Sequence, residues 1–382
     1  MSGNKICFFV HECVLEAGHT RAMLETIRSM PSESVKEIHL VYFEGQPSDK
    51  LLPEFKGDIY HHQVPGKWLF PFLIKSVFFQ LWCSFFIRFF LEKDIIKIGI
   101  GTACLGVDIC NIQFIQTQWK KHYFKNLSIL SLRFIYKKVL FSYFSFCENL
   151  LFRNTETKFL SLSHFITHFL IDEFQVSPKN IITEYSSVNL EHFPLPTKNK
   201  TELYELLSNK YSSLEGLDLN RPIFLFVGAF ERKGLSKALE LTSLADNGQI
   251  IVIGKGEHSE GAPSKEGVRI FPISFTKEIE LFYQLSDYFL FPTIYEPFGL
   301  VIAEAAAMGN IVLTHKENVG ASEILENLPS VKFLDTETFD FKKAAPLSLE
   351  MRSAQAKVVR ERLGQYSWSK PAKALESLLS SF

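Results

Sequence analysis

The chain has no C-x-x-C pair, and its six cysteines (Cys7, Cys13, Cys83, Cys104, Cys110 and Cys147) all lie within the first 147 of 382 residues. That excludes a zinc-ribbon spacing and argues against a disulfide framework; reduced, mostly buried thiols of a cytosolic protein are expected. No D-x-D pair occurs, so a divalent metal is not expected at the site. No G-x-G-x-x-G follows the first apolar segment, which removes the dinucleotide fingerprint. Charge of either sign is not in excess: the net value is −1, and nothing in it points to a nucleic-acid partner. An unbroken membrane span is missing too. The longest apolar stretch, residues 68–91, is interrupted by Lys75, Gln80 and Arg88, below the ~18 uncharged residues such a span needs. It suits a segment lying on a membrane better than one crossing it. At the start, Lys5 and the apolar residues to Val10 read as a first strand and not as a signal peptide. Acidic side chains are absent from 118–147.

What is present is globular. Hydrophobic residues make up 46% and charged ones 22%, enough for a core in each of two domains at this length. Phenylalanine is in surplus, 37 in all, concentrated between residues 69 and 174. After the first strand, His11 to Gly18 reads as a loop and Thr20 to Met30 as a helix. Further strands are predicted at Glu37 to Phe43, Asp94 to Gly99, Phe159 to Leu162 and Ile181 to Tyr185. Residues 194–220, rich in Pro, Ser, Lys and Asn, read as a linker with one short helix. The second half predicts six strands, at 223–227, 250–253, 268–273, 288–291, 311–314 and 331–334, with helices between them. That alternation gives a doubly wound parallel sheet.

Within 118–147, Lys120, Lys121, Lys125, Arg133, Lys137 and Lys138 alternate with aromatic and aliphatic residues, including Leu127, Ile129 and Leu130. Such a segment fits the interface of an anionic bilayer, with each cation contributing ~1 kcal/mol. The alternative is a core helix with a solvated basic face.

The densest chemistry lies in residues 295–309, YEPFGLVIAEAAAMG. An apolar strand ending at Phe291 leads through Glu296-Pro297-Phe298-Gly299 into an Ala-rich helix. Backbone amides at a strand end, a turn and a helix start favour an anion such as phosphate. Glu296 and Glu304 flank that point, and carboxylates there accept hydrogen bonds from hydroxyl groups. Phosphates in the middle and polyols at both ends describe a nucleotide sugar. Upstream, the strand Ile223 to Val227 is followed by GAFERKG, in which Gly228 allows a close turn. Arg232 and Lys233 then place two cations where ligands bind in open parallel sheets, able to neutralise a diphosphate leaving group. Gly254-Lys255-Gly256 repeats the strand-then-glycine pattern.

Glu296 and Glu304, eight positions apart, match the E-x7-E motif, and the chain resembles the retaining glycosyltransferases of family four, which have the GT-B fold. Gly228, Lys233 and Gly234 match that family's G-R-x-x-x-x-K-G. The adjacent Arg232-Lys233-Gly234, with Gly106-Val107-Asp108-Ile109, is similar to the lipopolysaccharide-core glucosyltransferase branch. The resemblance implies two Rossmann-like domains facing across a cleft. Residues 1–200 would form the acceptor side, joined by a closing helix within 366–382 that buries Trp368, Leu375, Leu378 and Leu379; residues 219–365 would hold the donor. It implies transfer of a hexose from a UDP- or GDP-linked sugar with retention, no cofactor, and a glycan or lipid-linked acceptor. Arg232, Lys233 and Glu296 would be catalytic. Gly18, Gly228, Lys233, Ile273, Phe298, Gly299, Leu300 and Glu304 would hold the donor. Asp108 would face the acceptor, although Gln113 and Phe114 stand where the branch carries an acid. Ala17-Gly18 is a reduced form of the family's glycine loop. A cytoplasmic protein peripheral on a membrane is expected. A non-catalytic nucleotide-sugar binder, or an epimerase of the same fold, would share many of these features.

Overall fold

The computed structural model describes residues 3–15, 17–124, 132–255 and 265–382; Lys125, Leu127, Ile129, Leu130 and Gly256 lie outside them. The chain forms two compact units, one running to Ser186 and completed by Trp368–Phe382, the other Ser187–Ser367.

In the first unit a seven-stranded sheet has Asn4–Phe9 at its centre, where Ile6, Cys7, Phe8 and Phe9 are buried. Strands Val35–Tyr42 and then Asp58–Gln63 extend it on one side. On the other side follow Ile96–Ile100, Ile109–Ile112, Lys158–Ser161 and Ile181–Thr183. Every pairing is parallel, and the order reverses beside the first strand as in a Rossmann fold. Two of these strands had no counterpart in the sequence reading. Asp58–Gln63 is an edge strand of sequence DIYHHQ with no buried residue, so it carries no apolar run to reveal it. Ile109–Ile112 is wholly buried but has Asn111 in its middle and follows a glycine turn.

The C-terminal helix Ser369–Leu379 belongs to this unit. Leu375, Leu378 and Leu379 join the core that Met23, Leu24 and Ile27 of helix Gly18–Arg28 present. Ser34 hydrogen-bonds Glu376. All six cysteines are free and buried.

The second unit holds a six-stranded parallel sheet in the order Arg269–Ile273, Gln249–Ile253, Ile223–Val227, Tyr288–Phe291, Ile311–Thr314, Val331–Phe333. Its turning point lies between Ile223–Val227 and Tyr288–Phe291. These near-continuous apolar strands are what a sheet covered on both faces requires. The segment read as a linker lies within this unit: its helix Lys200–Ser208 is closed by an Asn199–Glu202 capping box. Lys200 at its start is tied to the buried Asp287 at 2.6 Å. The same carboxylate accepts from the Ile223 and Leu347 amides at 2.8 and 2.7 Å and pairs with Arg352 at 3.3 Å. One buried anion thus fastens the sheet to two helices.

With helices covering both sheets, the chain has the GT-B fold, two parallel-sheet Rossmann-like domains.

Candidate functional site

In the second unit, the carboxyl ends of Ile223–Val227 and Tyr288–Phe291 lie side by side, and their loops carry the predicted charges. Gly228 leaves the first strand at φ +136° and Gly254 leaves its neighbour at φ +143°. A Cβ on Gly254 would collide with the Gly228 carbonyl, so glycine is required where the two backbones meet. The chain then forms one helical turn, Phe230–Lys233, and turns at Gly234 into Leu235–Thr242.

That turn aims Lys233 inward. Its ammonium forms an ion pair with Glu296 and lies 5.0 Å from the Phe291 ring centroid. Arg232 Nη1 reaches the same Glu296 oxygen, Oε2, at 3.2 Å. The Lys233 and Glu296 side chains are 10% and 12% exposed, against 31% for Arg232, so the pair is shielded while the guanidinium has one side open. Burial first, and then the like charge of Arg232, push Lys233 well down from its ordinary value; the touching carboxylate opposes that shift. Burial brings Arg232 down to about 10.

Glu296 is held from behind. Its amide donates to Asn318 O and its carbonyl accepts from Gly320, at 2.9 and 3.0 Å, while Phe298 O accepts from Ala321 at 2.8 Å. Gly299, at φ +96°, then starts helix Leu300–Ala307. Phe298, Gly299 and Leu300 thereby stand at the start of a helix next to the two cations, where amides and dipole add to the positive potential. Glu304, farther along this helix, is buried and accepts from the Tyr283 hydroxyl at 3.2 Å. Arg232, Lys233, Glu296, Gly228 and Gly299 are thus brought to the carboxyl end of the two central strands. Ile273 closes the strand Arg269–Ile273 of the same sheet, with its side chain buried and its carbonyl accepting from the Gly254 amide at 3.0 Å.

The first-unit candidates stand differently. Gly18 begins helix Gly18–Arg28, and a Cβ there would meet nothing within 4 Å; the fold itself does not demand glycine. Asp108 precedes strand Ile109–Ile112, at the amino end of the sheet, where its carboxylate accepts a hydrogen bond from the Lys97 backbone amide at 2.8 Å and pairs with the Lys97 ammonium at 2.7 Å. The fold accounts for this aspartate as a strand-pairing residue, opposite the edge at which such sheets bind ligands. The acid-free run 118–147 also has a partner from elsewhere: Lys121 pairs with Glu173 and lies over the Phe169 ring at 4.9 Å.

Three residues escaped the sequence reading. Thr293 Oγ1 bonds the Arg232 and Tyr295 carbonyls at 3.3 and 3.2 Å, and His315 Nδ1 lies 2.9 Å from Thr293 O. Together they fix the height of the cation loop. Tyr283 orients Glu304. None belongs to a motif; only proximity reveals them.

Residues 209–335 match the model of the family described as glycosyl transferases group 1. The whole chain shares its fold with WaaG, a glycosyltransferase involved in lipopolysaccharide biosynthesis: 16% identity over 97% of this chain and 95% of the other, TM-score 0.66. Anabaena HepE, solved in complex with UDP and glucose, aligns at 13% identity over 99% and 100% with a TM-score of 0.61. Sucrose-phosphate synthase from Thermosynechococcus elongatus aligns at 12% identity over 99% and 94%, TM-score 0.60. No curated protein matches the sequence. These neighbours share the GT-B fold with this chain, and the glycosyltransferase family match covers residues 209–335 of the second unit.

Proposed function

We propose that the chain is a retaining hexosyltransferase of the family-four type, moving a hexose from a nucleoside diphosphate donor to a glycan or glycolipid acceptor such as a lipopolysaccharide core. The observation that carries this reading is the joint placement of Arg232, Lys233 and Glu296 beside the Gly299 helix start. A diphosphate leaving group gathers negative charge as the glycosidic bond breaks, and catalysis is strongest where charge develops against groups already in place. Lys233 and Arg232 exchange their bond to Glu296 for the departing diphosphate, and the amides of Phe298 to Leu300 take a share. Glu296, released from the cations, accepts from a sugar hydroxyl. Glu304 accepts from the ribose, with Tyr283 holding its other side. Gly228 and the end of strand Arg269–Ile273 border the nucleotide.

UDP is the first donor nucleotide to test, with GDP second, since HepE was solved with UDP. No divalent metal is required in this reading, which rests on the missing D-x-D pair. A cytoplasmic location, peripheral on an anionic membrane through 118–147, places the protein beside a lipid-linked acceptor.

Thermal stabilisation by a panel of nucleoside diphosphates and their sugars tests the proposal. Ligand at a hundred times its Kd stabilises the native state by about 2.7 kcal/mol, and the shift should vanish in Lys233→Ala and Glu304→Ala. No shift with any nucleotide removes the transferase reading. A shift without transfer to any glycan or hydrolysis leaves a binder.

A further inference from the structure

Helix Phe72–Phe89 of the first unit is long and apolar enough to cross a membrane by length and composition, with a mean hydropathy of 1.4, yet only Ser76, Phe79, Cys83 and Phe86 are buried. Those four recur at helical spacing and face the sheet. The opposite side is apolar as well. Leu81, Phe85 and Phe89 are 65, 46 and 68% exposed there, and Trp68, Phe70 and Phe90 at the two ends reach 80, 86 and 67%. A helix apolar on all sides is ordinarily surrounded by apolar matter, and an exposed patch of this kind marks an interaction surface.

A second helix with exposed apolar residues lies beside it. The Leu73 amide donates to the Tyr136 hydroxyl at 3.3 Å, and the rings of Phe72 and Phe144 lie 6.0 Å apart, which sets helix Leu132–Phe152 beside the first. Its own exposed Leu132, Ile135 and Val139 fall on one side at helical spacing.

The geometry points to the surface of an anionic phospholipid bilayer as the occupant, with Phe72–Phe89 lying in the interface and its outer apolar stripe inserted. Charge selects this partner. Residues 59–91 contain no Asp or Glu, while Lys67 and Arg88 are exposed at the two ends of the stripe. On the second helix Arg133 and Lys138 are exposed, and no acid precedes Glu148. Aromatic side chains between cations are the composition of an interfacial helix. The helix lies flat and does not cross, because Gln80 on its inner side ties it to the Leu105 amide at 3.1 Å and to the Thr102 carbonyl, and the four buried residues anchor it along the unit. This inference rests on the peripheral-membrane reading above and moves the main attachment from the charges of 118–147 to the apolar stripe.

The test uses the full chain with phosphatidylcholine vesicles, with and without phosphatidylglycerol. Wild type should co-sediment with the anionic vesicles, and brominated lipid should quench the fluorescence of Trp68. Leu81→Asp/Phe85→Asp should lower partitioning about tenfold or more, since buried apolar area supplies the attachment, while keeping the UDP-induced thermal shift. Arg133→Glu/Lys138→Glu should abolish only the preference for anionic lipid. Trp68→Ser/Phe70→Ser, outside the helix, repeats the measurement should the first pair disturb folding. Undiminished vesicle binding by both apolar variants overturns the inference. So does a wild-type dimer that ignores vesicles and dissociates in Leu81→Asp/Phe85→Asp, which would make a second copy the occupant. Vesicle binding that persists without any nucleotide shift retains this surface and removes the transferase reading instead.

Discussion

Lys233→Ala separates two roles that the structure gives one side chain. Without ligand, Lys233 is the shielded partner of Glu296 and covers the Phe291 ring. Breaking a buried ion pair by removing one member costs about 3–5 kcal/mol. Here Arg232 stays 3.2 Å from the abandoned carboxylate and is partly exposed, so compensation survives and the loss should be about 2–3 kcal/mol. At about 2–4 °C per kcal/mol for a unit of this size, Tm falls by about 4–12 °C. Lys233→Met, which keeps the methylenes over Phe291, apportions the packing share. Glu296→Ala costs less, because the remaining lysine is already biased towards its neutral form by burial. The double variant Lys233→Ala/Glu296→Ala should therefore be more stable than the sum of the singles by about 1–3 kcal/mol.

The second readout is catalysis. Loss of one preplaced charge at a leaving group costs about 10²–10³ in kcat/KM. Lys233→Ala and Lys233→Met should both show it, and the UDP-dependent thermal shift should go with it. Additive stabilities would mean that the pair is not energetically coupled. Unchanged turnover in both lysine variants would refute the leaving-group role outright.

Two further outcomes concern stability. Asp287→Asn keeps the shape of the hub but leaves Lys200 and Arg352 facing a neutral group; urea unfolding should report a loss of about 3–5 kcal/mol, and an unaltered midpoint would sink the hub argument. Glu148, buried on helix Leu132–Phe152, accepts from the Gln116 and Thr117 amides, and burial pushes its carboxyl up to about 7. Between the unfolded value near 4.5 and 7 the folded state holds the extra proton, so stability falls as pH rises through that window, by about 3 kcal/mol at 1.36 kcal/mol per pH unit. Relative to wild type, Glu148→Gln should gain stability from pH 5 to pH 8; parallel Tm profiles would refute this.

The second unit was legible because its chemistry sits in short loops between uninterrupted apolar strands. IFLFV and YFLF begin and end where their strands do, and the charged loops follow directly. The first unit was less legible. DIYHHQ pairs by its backbone at a sheet edge and needs no apolar pattern, while ICNI hides a buried strand behind an asparagine. Long-range partners were out of reach: Glu173 for Lys121, Lys97 for Asp108 and Tyr283 for Glu304 are fixed by how the elements stack and not by spacing.

The phenylalanine surplus is where composition misleads most. Read as hydropathy, Phe72–Phe89 fits a buried core helix or an interfacial helix, since an inner and an outer apolar stripe cancel any asymmetry that periodicity could detect, and a span less well because of its charges. Burial separates the three. A core helix would cover both stripes, and a span would have to give up the packing of Ser76, Phe79, Cys83 and Phe86 within the unit. The proposed helix lying at an interface accounts for one covered stripe and one open stripe together. The cations point the same way. Lys75 turns inward over the Phe43 ring at 5.0 Å, whereas Arg88, at the far end, is exposed. Asp and Glu are absent from 59–91, and the next acids, Glu92 and Asp94, are taken up by Lys5; that is the charge pattern the proposed anionic surface would select.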